Sequence, residues 1–274
     1  MTKLFEIKTG KGSVFAKVFE LVQSYIKEIN IKITPEGFFI SSYDLSNLSL
    51  TKIDLLQNKF EFFQCEKPLT IGVNTQTIYR TIKSISKKDT LTFYIDSESP
   101  DKLCILLADP SGISKEYHIP LLMINSNYIE ISNDKFDEFN HVINLPTARF
   151  KSIIKDFDLM DTTTIEIKSF NKKLSFKSCD GDVNSVINAI ELSAHQKKNV
   201  AELLQGEDIK QITYSKCDDQ IIQGKFNLRK MKILIKATNL CEYMNIYLRN
   251  DSPLILQYNA ADLGPFSFFL NPLN

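Results

Sequence analysis

The chain has no apolar run approaching the roughly 20 residues that a membrane-spanning helix needs. Its first residues, MTKLFEIKTGKGS, hold no apolar core of the kind a secretory leader carries, which leads us to expect an intracellular protein. Cysteine is sparse: Cys65, Cys104, Cys179, Cys217 and Cys241 are odd in number, scattered and never spaced as C-x-x-C. That pattern excludes a disulfide framework and a sequence-encoded zinc motif, and predicts reduced thiols. Histidine occurs at His118, His141 and His195, with no Cys-His pairing signature. No phosphate-binding glycine loop, dinucleotide fingerprint or H-E-x-x-H motif occurs. The 33 basic and 33 acidic residues cancel, so any nucleic-acid contact must come from local placement of charge and not from global basicity.

What is present is an ordinary globular mix, 43% hydrophobic and 24% charged, over 274 residues, enough for one large domain or two. LFEIKT (4–9) alternates as a strand. Over 13–26, Phe15, Val18, Phe19 and Val22 stand at i, i+3, i+4 and i+7, one face of a helix, with Ser13 expected as its N-cap. Strand, Pro-Glu-Gly turn and strand follow over 29–44, then strands at 48–55 and 59–65. A helix is predicted over 75–85 with Ile78, Ile82 and Ile85 inward, and strands over 89–96, 102–109 and 115–124.

The second half repeats this order: a strand at 139–146, a helix over 147–157, a strand–turn–strand over 163–180, a further pair of strands, a helix over 226–238 and three closing strands. Phe150, Ile153, Ile154 and Phe157 repeat the first helix's apolar set at a constant offset of 135 residues. The chain therefore reads as a duplication. We expect an α+β fold of two domains, each with two helices packed on antiparallel sheets. The boundaries are placed at 1–121 and 139–274, with a polar connector over 122–138.

Basic residues gather on the outward helical faces. Arg80 and Lys83 lie opposite Ile78, Ile82 and Ile85, with Lys87 extending the face. Arg229, Lys232 and Lys236 share a second face, beside Lys230 and opposite Met231 and Ile235, and Lys151 and Lys155 stand at i, i+4. The first helix is poorer, with Lys17 beside Glu20. A charged outer face is usually a solvated face. Three such faces in one duplicated chain, nearly free of acid, suit phosphate contact without base reading.

Cys65, flanked by Gln64, Glu66 and Lys67, is the residue most open to reading as a nucleophile. A reactive thiolate needs a nearby base or a helix N-terminus, and none is apparent, so a buried structural thiol is the better reading. His118 is expected to pack or face solvent in a strand. Asp262 has no carboxylate partner at a useful spacing and reads as a turn residue before Gly264.

Five segments, in order, resemble the proliferating cell nuclear antigen family of DNA sliding clamps. They are SYDLSNLSL (42–50), FFQCEKPLTIGVN (62–74), EYHIPLLMI (116–124), LRKMKILIKAT (228–238) and SPLILQYNAADLGPFSFFLNP (252–272). The resemblance covers nearly the whole chain, and Ala-Asp-Leu-Gly is its most specific piece.

That resemblance implies a subunit of a closed ring of three two-domain chains, helices lining the hole and sheets outside. It implies a non-enzymatic polymerase processivity factor on double-stranded DNA, bound without sequence preference. The DNA-facing residues would be Lys17, Arg80, Lys83, Lys87, Lys151, Lys155, Arg229, Lys232 and Lys236. Partners would be DNA polymerase, a clamp loader and repair enzymes, docking short peptides on Leu48, Leu121, Leu122, Ile124, Ile129, Ile131, Pro253, Phe269 and Pro272. The strand at Tyr117 would pair with a strand within 184–193 of the next copy. No cofactor or metal is implied, and the location would be the nucleus or a viral replication compartment. The family is acidic where this chain is balanced, and Ala16, Gln23 and Ser152 stand where the family is often basic, so the chain reads as a divergent, viral or duplicated member. The alternatives are one subunit of a heterotrimeric clamp, a monomeric polymerase accessory factor or, in another class, a thiol-dependent enzyme using Cys65.

Overall fold

Alternation of apolar and polar residues produces the strands, and 3.6-residue periodicity produces the helices that cover them. The structure, a computed structural model, describes every residue except 1, 45, 126–127, 182, 194–210, 261–262 and 274. His195 and Asp262 thus lie outside the described residues. The chain forms two units, one of residues 1–130 with 259–267 and one of residues 131–258 with 268–274.

In the first unit the order is β1 (Lys3–Thr9), α1 (Gly12–Val22), β2 (Glu28–Thr34), β3 (Gly37–Tyr43), β4 (Ser49–Leu56), β5 (Phe62–Cys65), β6 (Leu69–Asn74), α2 (Thr75–Ile82), β7 (Thr90–Asp96), β8 (Lys102–Ala108) and β9 (Ser114–Pro120). Strands β5-β1-β7-β8-β9 make one antiparallel sheet, and β4-β3-β2-β6 run side by side in a second. Phe5, Ile7, Leu91, Phe93, Ile95, Leu103 and Ile105 are buried on one face of the first sheet. Phe15 of α1 reaches both layers, its ring 5.7 Å from Phe93 and 6.1 Å from Phe38.

The second unit runs β10 (His141–Pro146), α3 (Thr147–Leu159), β11 (Thr164–Phe170), β12 (Lys173–Ser178), β13 (Val186–Ile190), β14 (Thr213–Lys216), β15 (Ile222–Asn227), α4 (Leu228–Leu234), a 3-10 segment (Ile235–Asn239), β16 (Tyr243–Leu248) and β17 (Leu254–Asn259). The last strand, β18 (Pro265–Leu270), divides between the units after Ser267. One sheet has the order β13-β12-β11-β15, and β14-β10-β16-β17 are neighbours in another. Phe150, Ile153, Ile154 and Phe157 of α3 are buried, as are their counterparts Phe15, Val18, Phe19 and Val22.

Helix boundaries depart from the sequence reading in four places. Ser13 does not cap α1, which starts at Gly12 with no side-chain hydrogen bond at its N-cap, Lys11. Gly12 is packed so closely on Ile85 and Leu91 that a side chain there would collide with both, so the helix begins one residue early. The same helix stops at Val22, where Ser24 Oγ donates to Leu21 O at 2.6 Å and turns the chain out. Helix α2 ends at Ile82, because the Asp89 carboxylate accepts from the amide and hydroxyl of Ser86 at 2.8 and 2.6 Å and closes a turn; Lys87 therefore lies beyond the helix. Past Leu234 the fourth helix tightens to 3-10, which leaves Ile235 half-buried and buries Leu234 and Ala237 instead. Strand β9 ends at Pro120, short of the predicted 124.

Asparagine supplies the cap for the second helix of each unit: Asn74 Oδ1 accepts from Thr77 N at 3.0 Å and Asn227 Oδ1 from Lys230 N at 3.3 Å. A buried threonine then ties each helix pair. Thr75 Oγ1 lies 2.6 Å from Ile26 O and 3.1 Å from Lys27 O, in the chain that trails α1. Thr147 Oγ1 lies 2.8 Å from Cys241 O and 3.1 Å from Glu242 O, in the chain that trails α4. Their amides bond Lys27 O and Glu242 O, both at 2.9 Å. Replacing Thr75 by valine keeps the volume but removes the hydroxyl bond to Ile26 O, so the unfolding free energy should fall by about 1–3 kcal/mol, seen as a lower denaturation midpoint. An unchanged midpoint would show that the clasp contributes nothing to stability.

Candidate nucleic-acid interface and partner surfaces

In the first unit α1 and α2 pack against each other. With Ile78 and Ile82 buried, the opposite side of α2 presents Arg80, and Lys83 follows at its C-cap; both are exposed, and α2 carries no acid. Lys87 is exposed in the following turn. Lys17 is exposed on α1 with Glu20, whose charge also reaches Tyr79: burial first, then Glu20, raises the Tyr79 hydroxyl above its ordinary value.

In the second unit Arg229 and Lys232 are exposed on α4, Lys230 is half-buried, and exposed Lys236 sits in the 3-10 segment. On α3, Lys151 is half-buried and Lys155 exposed. The face is less free of acid than expected, because Lys232 Nζ pairs with Asp158 Oδ1 of α3 at 2.5 Å, and Asp156 is exposed nearby in sequence. Both members of that pair are more than two-fifths exposed, so the pairing is worth at most about 1 kcal/mol. Arg149, exposed on α3, was not singled out from the sequence and adds a cation there. The second helix of each unit is thus the strongly positive one, and the first is mixed.

The connector lies on the first unit. Leu122 N donates to Gly72 O at 2.8 Å, and Asn30 Nδ2 donates to Ile124 O at 3.2 Å. Lys32 bonds Glu130 at 2.8 Å and sits 5.1 Å over the Tyr128 ring. Leu121, Leu122, Ile124 and Ile129 are half-buried, whereas Met123 is fully exposed. A side chain at Gly72 would overlap the Leu122 carbonyl, which explains the glycine before Val73 and Asn74. Leu48 is 44% exposed at a turn held by buried Asp44, whose Oδ1 accepts from Leu48 N at 3.1 Å and Ser49 N at 3.2 Å. The other predicted pocket residues belong to the second unit: Ile131, Pro253 and Phe269 are half-buried and Pro272 is exposed. Phe269 packs edge-on against Phe136 at 5.9 Å.

Two sheet edges carry exposed apolar side chains. β9 ends the first unit's five-stranded sheet and exposes Tyr117; β13 ends a four-stranded sheet and exposes Val186 and Ile190. Strand edges of this kind pair with other strands through main-chain hydrogen bonds.

The thiols divide clearly. Cys65 is buried, its Sγ 3.2 Å from Lys67 O, and burial raises its thiol above the ordinary range, opposite to what a nucleophile needs. His141 is fully buried in a polar cluster, Nδ1 2.8 Å from Ser169 Oγ and Nε2 3.1 Å from Asp218 Oδ1. Two Cys-His juxtapositions escaped the sequence reading: Cys104 Sγ lies 3.2 Å from His118 Nδ1, and Cys217 Sγ lies 3.7 Å from His141 Nε2. The signal for the first was available, since the Asp109–Gly112 turn centres the β8–β9 hairpin so as to put 104 opposite 118.

Comparison with known proteins gives a consistent picture. The model for the proliferating cell nuclear antigen N-terminal domain matches residues 4–130, and that for the C-terminal domain matches residues 134–273. A probable DNA polymerase sliding clamp 1 of Paramecium bursaria Chlorella virus 1 is 27% identical over 273 residues, covering 98% of this chain and 97% of that protein. A probable DNA polymerase sliding clamp of Acanthamoeba polyphaga mimivirus is 29% identical over 230 residues, 83% of this chain and 45% of that longer protein. The crystal structure of proliferating cellular nuclear antigen from Entamoeba histolytica superposes with a TM-score of 0.83 at 19% identity, over all of both chains, and so shares the fold.

The Gly72–Leu122 approach makes a direct prediction. Gly72→Ala should lose about 1–3 kcal/mol through overpacking and should speed hydrogen exchange at the Leu122 amide. Wild-type protection at that amide in the variant would mean the connector is held by other contacts.

Proposed function

The chain belongs to the proliferating cell nuclear antigen family, and from that premise we infer that it is a DNA sliding clamp, a processivity factor for DNA polymerase. The family is non-catalytic, and Cys65, buried with a raised pKa, gives no support to a thiol enzyme. We further propose a ring of three identical chains whose helices face duplex DNA, with a clamp loader and repair enzymes as additional partners. Short peptides from those partners would dock on the connector and on the residues around Phe269. The site of action would be a nuclear or viral replication compartment; no described helix is long and apolar enough to cross a membrane.

The observation that carries the DNA reading is the charge on the second helices: Arg80 and Lys83 in one unit, Arg229, Lys232 and Lys236 in the other, all exposed. Basic charge on a helix whose other side is core can neutralise phosphates but does not discriminate bases. A topologically held duplex needs only such weak, salt-sensitive contacts to be centred in the hole. The assembly reading rests on the exposed edges of β9 and β13, which suit head-to-tail strand pairing between copies.

Two measurements test this. Light scattering at micromolar concentration should give three times the 31.4 kDa chain mass, and a monomer would favour the accessory-factor alternative. Lys83→Glu with Lys236→Glu should weaken DNA association equally for all sequences and reduce the salt-dependence slope by about 0.9 per lost contact, with the oligomer intact. An unaltered slope would remove these two residues from the DNA-facing set.

A further inference from the structure

The outer face of the β7–β8–β9 sheet gathers chemistry that the clamp function does not use. Tyr94 stands opposite Cys104, and Cys104 opposite His118, so three strands place these side chains in one row. They lie on the face away from Phe93, Leu103, Ile105 and Ile119, which are core. Glu116, two residues before His118 in β9, points to the same face. Cys104 Sγ is 3.2 Å from His118 Nδ1, and Glu116 Oε1 is 3.6 Å from His118 Nε2. One ligand atom from each of Cys104, Glu116 and His118 falls within 4.8 Å of the other two. The Tyr94 hydroxyl donates to Glu116 Oε1 and so fixes the carboxylate.

We propose that Cys104, His118 and Glu116 form a zinc(II) site, with water as the fourth ligand. The donor set selects the metal: thiolate and imidazole favour zinc over the hard cations magnesium and calcium, and a tetrahedral ion accepts one sulfur, one nitrogen and one oxygen. The hairpin supplies the three ligands from paired strands, so little chain entropy is lost on binding. Tyr94 acts as the outer partner that holds a ligating carboxylate, a role such sites commonly need. His118 and Glu116 are 56% and 43% exposed at their side chains, so the ion can enter from solvent, while the buried sulfur closes the floor. Binding forms the Zn–S bond and releases the thiol proton to solvent; no electrons move. The ligand is the thiolate, so zinc must displace a proton and affinity should fall as pH is lowered. The bound ion would cross-link β8 to β9 and stiffen the exposed edge of the sheet. All three ligands come from one chain, so the proposal does not rest on the ring reading.

The full chain, reduced and stripped with chelator, is titrated with zinc by calorimetry and with cobalt by absorption. One zinc per chain and a thiolate-to-cobalt charge-transfer band are expected. Both should disappear in Cys104→Ser and in His118→Ala and persist in Cys217→Ser, which alters the Cys-His approach in the other unit. Tyr94→Phe should weaken zinc by about 10–100-fold. Because His118 is exposed, His118→Ala keeps the fold even if the buried Cys104→Ser variant does not. Absence of saturable zinc uptake by the wild-type chain, or uptake unaffected by His118→Ala, would overturn the proposal.

Discussion

A buried threonine at a strand-to-helix junction sets the geometry of both units. Thr75 and Thr147 each direct a hydroxyl at carbonyls trailing the partner helix, and each amide closes a second bond to the same segment. Carbonyls beyond a helix end have no partner within the helix and must find one elsewhere when buried. A single residue that satisfies them also fixes where one helix of the pair starts relative to the end of the other. With that spacing fixed, both apolar stripes meet the sheets, and the remaining helical surface is committed to solvent. The position of the basic residues follows from this packing constraint.

The charge on that surface is arranged unevenly. The first helices mix signs, with Lys17 near Glu20 and Lys155 near Asp156, while the second helices carry only cations. Asp158 lends Lys232 a partner, but across exposed side chains, where ion pairs contribute little. Neutral total charge and a positive helical face are compatible because screening confines each exposed charge to about 8–10 Å. The acids farther away do not cancel the local positive field at α2 or α4.

The connector and the sheet edges show how small residues and short contacts present apolar side chains at a surface. Gly72 lets the Leu122 carbonyl approach β6, and Asn30 and Lys32 hold the chain beyond it. Half-buried Leu122, Ile124 and Ile129 are then presented on a supported backbone, which would lower the ordering cost of the peptide docking proposed above. The edges of β9 and β13 have the opposite character: regular strands with exposed apolar side chains, left unblunted because pairing with another copy is their proposed use.

The amino-acid sequence by itself determined the duplication, the two-helix, many-stranded plan of each half and the inward apolar stripes, since Phe15, Val18, Phe19, Val22 and their counterparts 135 residues on are all buried. These are local periodicities, and burial free energy acts on them directly. It also placed Arg80, Lys83, Arg229 and Lys232 outward, because the opposite side of an amphipathic helix has nowhere else to go. Only the tertiary structure decided where helices end, since Gly12 packing and the Ser86–Asp89 turn depend on neighbours distant in sequence or on side-chain competition for the backbone. Only it brought Asp158 to Lys232 and Cys104 to His118, because pairs across helices or strands depend on register and packing, which composition and spacing along one element do not specify.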